Sequence, residues 1–87
     1  MNSYTERYSG KLSKAGTIYS NEYWKVHNDA ANQLIRDLQK ETRNRHKVKI
    51  LELYDIAKTI DFDRTSDKFT QRYNKAIDNA NDVLLYE

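Results

Sequence analysis

From Thr17 to Glu87 the chain runs 71 residues without a glycine or a proline; its two glycines are Gly10 and Gly16, and it has no proline. β architectures depend on Gly and Pro at their turns, so a stretch of this length without either breaker points to helices joined by short polar turns. The fold class that follows is all-α. The expected architecture is a small three-helix bundle with antiparallel neighbours, a polar N-terminal arm over 1–20 and a single helical domain over 21–87. A total of 87 residues leaves room for one domain.

The first 20 residues are polar and hold both glycines. Ser3-Tyr4-Thr5-Glu6 has the spacing of a capping box, and Tyr4 and Tyr8 stand four apart. These features suggest a short extra N-terminal helix ending at Gly10, followed by a loop or extended arm from Lys11 to Ser20. Thr17-Ile18-Tyr19 is the one strand-like triplet, and no second strand is visible to pair with it.

Three longer helices are expected. The first spans about 21–42, capped by Ser20 or Asn21, with Tyr23, Trp24, Val26, Ala30, Ala31, Leu34, Ile35 and Leu38 at helical spacing. Residues 39–47 are entirely polar, and the apolar stripe then resumes roughly 100° further round the helix. A single rod could not bury both stripes on one neighbour, so a turn is expected near 42–45. The second helix, about 45–60, spreads its apolar residues over roughly 220° of its circumference, twice the usual arc. Such a helix is either sandwiched between its neighbours, the expected arrangement here, or offers a face to another chain. The third, about 66–86, is capped by Thr65 or Ser66 and carries Phe69, Tyr73, Ala76, Ile77, Ala80, Val83 and Leu84. The short 61–65 connection makes the second and third helices antiparallel neighbours.

The core is thin. Leu, Ile, Val and Phe total 18 of 87 residues, close to the composition of disordered chains, but the net charge is only +2 and seven Tyr and one Trp add apolar area.

Little in the chain suggests chemistry. It has no Cys, hence no disulfide, thiolate ligand or thiol nucleophile. His27 and His46, the only histidines, are 19 apart and form no metal-binding pair. His27 is expected as a hydrogen-bonded residue at the edge of the core, and His46 at the surface. Asp61-Phe62-Asp63-Arg64-Thr65 opens like a calcium loop but fails at Ser66, where glycine is required, and at Arg72, where a bidentate glutamate is required. Ser9-Gly10-Lys11-Leu12-Ser13-Lys14 is a faint echo of a phosphate loop, without the first glycine or a preceding strand. No enzyme activity, cofactor or metal is expected. Nor is a membrane span, since no apolar run approaches the roughly 20 residues required. The opening residues hold no apolar segment of a secretory signal, and the expected location is the cytoplasm.

Charge and aromatic placement carry more information. Residues 1–49 hold 10 basic and 5 acidic side chains, net +5; residues 50–87 hold 5 and 8, net −3. Lys25, Arg36, Lys40, Arg43 and Lys47 fall on one line if the first long helix is extended, and Arg45 and Lys49 add to its far end. Tyr4, Tyr8, Tyr19, Tyr23 and Trp24 crowd into the first 24 residues, and tyrosine, tryptophan and arginine dominate interface hot spots. The expected contact residues are Tyr4, Tyr8, Lys11, Lys14 and Tyr19 on the arm, with Arg36, Lys40, Arg43, Arg45 and Lys47 on the stripe.

The functional expectation is a small non-enzymatic protein–protein interaction module, an inhibitor or adaptor docking on a larger protein. Its Asn, Lys, Tyr and Ile content suits a phage or mobile-element product. One alternative is a nucleic-acid binder contacting the phosphate backbone through the basic stripe. Base readout is disfavoured, because the second helix offers Leu, Ile and Tyr where a recognition helix needs polar side chains. The other alternative is a self-assembling helical protein, a homo-oligomer formed through the second helix or the Leu84-Leu85-Tyr86 tail.

Overall fold

The computed structural model describes residues 3–17, 20–61 and 67–86. The fold is all-α, with four helices in the order α1 (Tyr4–Leu12), α2 (Asn21–Asn44), α3 (Lys47–Ala57) and α4 (Asp67–Tyr86). The Ile18-Tyr19 part of the strand-like triplet, the Thr65 or Ser66 cap and most of the 61–65 connection lie outside the described residues.

α2 begins where its chemistry dictates: the Ser20 side chain accepts a hydrogen bond from the Tyr23 N–H at 3.1 Å. It ends at Arg45, which adopts the left-handed conformation (φ 58°, ψ 35°) and returns its own N–H to the last turn. The expected turn near 42–45 is therefore present, and α3 restarts at Lys47 in a new direction. Twenty-four residues at 1.5 Å each make α2 about 36 Å long, nearly the 42 Å longest dimension of the molecule.

α2 is the central element, packing on α1, α3 and α4. Ala30 and Ala31 on α2, and Ala76 and Ala80 on α4, are at most 1% exposed, and small side chains let two helices lie close. Leu34, Ile35 and Leu38 of α2 join Ile50, Leu53 and Ile56 of α3 in the same core. The expected sandwich of α3 between α2 and α4 is not what forms. α4 packs mainly along α2 and meets α3 lightly, fixed there by Tyr54, whose hydroxyl donates to Asn81 Oδ1 at 2.6 Å. One face of α3 stays open, with Val48 80% and Leu51 52% exposed. Trp24, expected on the buried face of α2, is exposed and sits edge-on to Tyr23.

Residues 3–12 are not an arm outside the domain. Tyr4 and Tyr8 of α1 belong to the one hydrophobic core. The capping box is half realised, with Ser3 Oγ accepting from the Glu6 N–H at 3.2 Å. The helix runs past Gly10 to Leu12, because Gly10 keeps an ordinary helical conformation; the left-handed glycine is Gly16, in the turn that follows. Lys11 and Leu12 are thus helical rather than part of a loop.

The molecule is a slab only 15 Å thick between its outer Cα atoms. That is two layers of helices, whose axes pack about 8–10 Å apart, which explains how a composition this polar can still satisfy its core.

Candidate functional site

Local chemistry fixes α1 in two places. Tyr8 donates from its hydroxyl to Asp37 Oδ2 of α2 at 2.6 Å. Thr5 donates twice to Glu52 Oε2 of α3, from its backbone N–H at 3.2 Å and its hydroxyl at 2.8 Å. The Tyr4 hydroxyl lies within electrostatic reach of the carboxylate of Glu41, a residue 1% exposed. Glu41 also meets His46 Nδ1 at 3.0 Å and takes the His46 backbone N–H on its carbonyl oxygen at 3.1 Å. A buried carboxylate is costly unless hydrogen-bonded, and this one finds its partner in His46 of the α2–α3 turn.

These contacts set the state of the two tyrosines. Burial, then the nearby charges of Glu41 and Asp37, push the Tyr4 hydroxyl up to about 12 from its ordinary 10.0, against the opposing pull of Arg7. Burial and the hydrogen bond to Asp37 raise Tyr8 further still. Both remain neutral donors at physiological pH.

Docking α1 creates a groove of about 470 Å3 walled by Arg7 of α1, Lys40 of α2 and Lys49 of α3, with Tyr4, Val48 and Glu52 completing it. The Arg7 guanidinium lies 5.7 Å and the Lys49 ammonium 5.9 Å from the centre of the Tyr4 ring, within cation–π range. Arg36, Lys40 and Arg43 are exposed at i, i+4 and i+7 along α2, so they form a line that enters this groove at Lys40. At the far end of α2, Arg43 and Arg45 border a second depression with Thr42, Asp82, Val83 and Tyr86. Lys11 stands at a smaller recess of about 130 Å3 beside Arg7, Gln33 and Asp37.

The ten contact residues expected from sequence therefore divide. Arg36, Lys40, Arg43 and Arg45 are exposed along the outer side of α2 and its end, and Lys11 and Lys14 are exposed on and after α1. Lys47 leaves the line, because the left-handed turn at Arg45 redirects the chain before it. Tyr4 and Tyr8 are only 8% and 4% exposed: they are core residues that rivet α1 in place rather than a free aromatic surface. Tyr19 lies outside the described residues. Arg7 was not among the expected contacts, and Lys49 was expected only as an extension of the stripe. Arg7 is three residues from Tyr4, and that spacing on a helix places both on one face.

A separate polar cluster sits at the start of α2. His27 is 5% exposed, and its Nδ1 accepts the Asp61 backbone N–H at 2.9 Å, leaving Nε2 to carry the proton of the neutral ring. Tyr23 stacks on His27 with ring centres 4.2 Å apart and donates its hydroxyl to the Asp61 carboxylate. The cluster ties the end of the α3 segment to α2, consistent with the hydrogen-bonded, core-edge role expected for His27.

Among the described residues no group of three or more His, Asp or Glu side chains is placed to hold a metal ion, and no helix is long and apolar enough to cross a membrane. What the α1–α2–α3 face can do is attract and seat an anion. Comparison of the chain with protein-family models, with curated proteins and with solved structures found no match.

Proposed function

We propose that the protein is a small, non-enzymatic interaction module that docks, as an adaptor or inhibitor, on an acidic surface of a larger protein. The observation that carries this reading is the meeting of Arg7, Lys40 and Lys49, from three different helices, at one groove that the exposed Val48 side chain also lines. Cations alone suit any polyanion. Val48 at 80% and Leu51 at 52% exposure add apolar area beside them. A protein partner buries such area, whereas a phosphate backbone gains nothing from it. A standard interface takes about 800 Å2 from each partner, a small share of the 6205 Å2 this molecule exposes.

The test compares wild type with the triple variant Arg36→Glu/Lys40→Glu/Arg43→Glu in affinity capture from a lysate of the source cells. Circular dichroism and thermal unfolding establish that the variant is folded. The expected result is a partner retained by wild type and lost by the triple variant. Equal retention by both overturns the placement of the interface. Nucleic-acid binding is the second reading, favoured by the α2 line itself. A mobility shift with duplex DNA that weakens steeply between two salt concentrations would replace the protein-partner reading. Self-assembly is the third, resting on Leu85 and Tyr86 at 74% and 81% exposure, and light scattering at several concentrations decides it.

A further inference from the structure

The α1–α3 groove holds more positive charge than the fold uses. Its one carboxylate, Glu52, takes both hydrogen bonds from Thr5 on Oε2 and keeps its charge, so it offsets one of the three cations and leaves an excess of two. Among the described residues Arg7, Lys40 and Lys49 form no ion pair. Three like charges brought to one cleft from three helices repel one another, and an entering anion relieves that repulsion.

The shape of the groove narrows what the anion is. It is about 470 Å3 and stands half open to solvent, so it receives a segment lying across it rather than enclosing a ligand. The exposed Val48 side chain, with only the edge of the nearly buried Tyr4 beside it, gives it an apolar component between the charged walls. A free phosphate would satisfy the walls and leave that apolar area wet. An extended peptide satisfies both, since successive side chains point to opposite sides and acidic and apolar residues in alternation can address walls and floor separately. Leu51, one turn along α3 from Val48, extends the apolar track beyond the groove.

The geometry points to this groove as the seat of an acidic peptide segment of the partner, with carboxylates against Arg7, Lys40 and Lys49 and an apolar side chain against Val48. The inference rests on the reading of the protein as an interaction module and specifies the chemistry of the segment it takes.

A short fluorescein-labelled peptide of alternating Glu and Leu tests it by anisotropy, with the Gln-for-Glu peptide as the uncharged probe. The groove variant is Arg7→Gln/Lys49→Gln, which keeps long side chains over Tyr4. The control, Lys68→Gln/Lys75→Gln on α4, removes the same charge away from the groove. Wild type should bind the acidic peptide and not the Gln peptide. The groove variant should bind roughly tenfold more weakly or worse, and the control within about twofold. Amide chemical shifts of wild type, which need no variant, should move at Tyr4, Arg7, Val48 and Lys49 and stay still at Trp24. No binding, equal loss in both double variants, shifts confined elsewhere, or displacement by duplex DNA at lower concentration than unlabelled peptide each overturns the inference. The two readings fail separately. If the α2 triple variant loses the captured partner while the groove variant keeps it, the groove assignment falls and the interaction module stands. If the groove binds peptide while partner capture ignores the triple variant, the placement of the module's interface on α2 falls alone.

Discussion

Removing the Tyr8 hydroxyl tests whether α1 is a working part of the fold. In Tyr8→Phe the ring stays in the core, where Tyr8 is 4% exposed, and the 2.6 Å hydrogen bond to Asp37 Oδ2 is lost. Hydrogen bonds to charged groups contribute about 1.5–3 kcal/mol. Asp37 is only half-buried, and its other oxygen keeps the Gln33 amide at 3.1 Å, so the orphaned carboxylate can recover water. The loss should therefore fall near the lower bound, about 1.5 kcal/mol. Tyr8→Ala removes the ring as well, and truncating a large buried aromatic costs about 3–5 kcal/mol. That exceeds what a nine-residue helix can withstand alone, because isolated helices shorter than about 12–15 residues are marginal in water. In Tyr8→Ala, then, α1 should undock before the rest unfolds. Urea unfolding should give a lower midpoint for both variants and a reduced m-value only for Tyr8→Ala, since α1 already exposes its surface. Hydrogen exchange should show lost protection over residues 4–12 with α2 retained. Losses under about 0.5 kcal/mol in both variants, with exchange in α1 unchanged, would refute the docking argument.

Leu53→Ala, at a position 0% exposed, should cost about 2–5 kcal/mol in chemical unfolding, whereas Leu51→Ala, at 52% exposure two residues away, should stay within about 0.5 kcal/mol; similar losses at both would mean the register of α3 is wrong. Gly10→Ala should stabilise the protein by up to about 1 kcal/mol, because Gly10 is helical and an added methyl group meets open space, while Gly16→Ala should destabilise it at φ +78°; thermal unfolding of the pair reads the contrast. Tyr4 ionises at 10.0 when unfolded and at about 12 when folded, so its contribution to stability is complete below pH 10 and drains away as pH rises through 12. Urea midpoints followed across that window should fall for wild type and fall less for Tyr4→Phe; parallel curves would remove Tyr4 as the cause.

Much of this was legible in the residues. Ser20 followed by Ala30, Ala31, Leu34, Ile35 and Leu38 at helical spacing announces α2, and those five residues are buried. The phase jump between Leu38 and Val48 announces the turn, although Arg45 is not a residue type that signals a left-handed cap. The role of α1 was hidden by its composition. With two tyrosines and one leucine it looks too polar to pack, and the Asp37 carboxylate that accepts from the buried Tyr8 hydroxyl stands 29 positions away in sequence. Glu41 itself carried a signal: it continues the Leu34, Leu38 register by one turn, so a carboxylate there had to be buried with a partner. The groove was illegible for the same reason as α1, since Arg7 joins Lys40 and Lys49 only after tertiary docking.

The account depends on α1 closing over α2 and α3 so that cations from all three helices share one cleft. Nuclear Overhauser contacts of the Tyr4 ring measure this directly. Cross-peaks from Tyr4 to the side chain of Lys49 on α3 are predicted, together with peaks from the Tyr8 ring to α2. Rings that show contacts only within residues 3–12, in a protein whose α2 and α3 are otherwise intact, would contradict it.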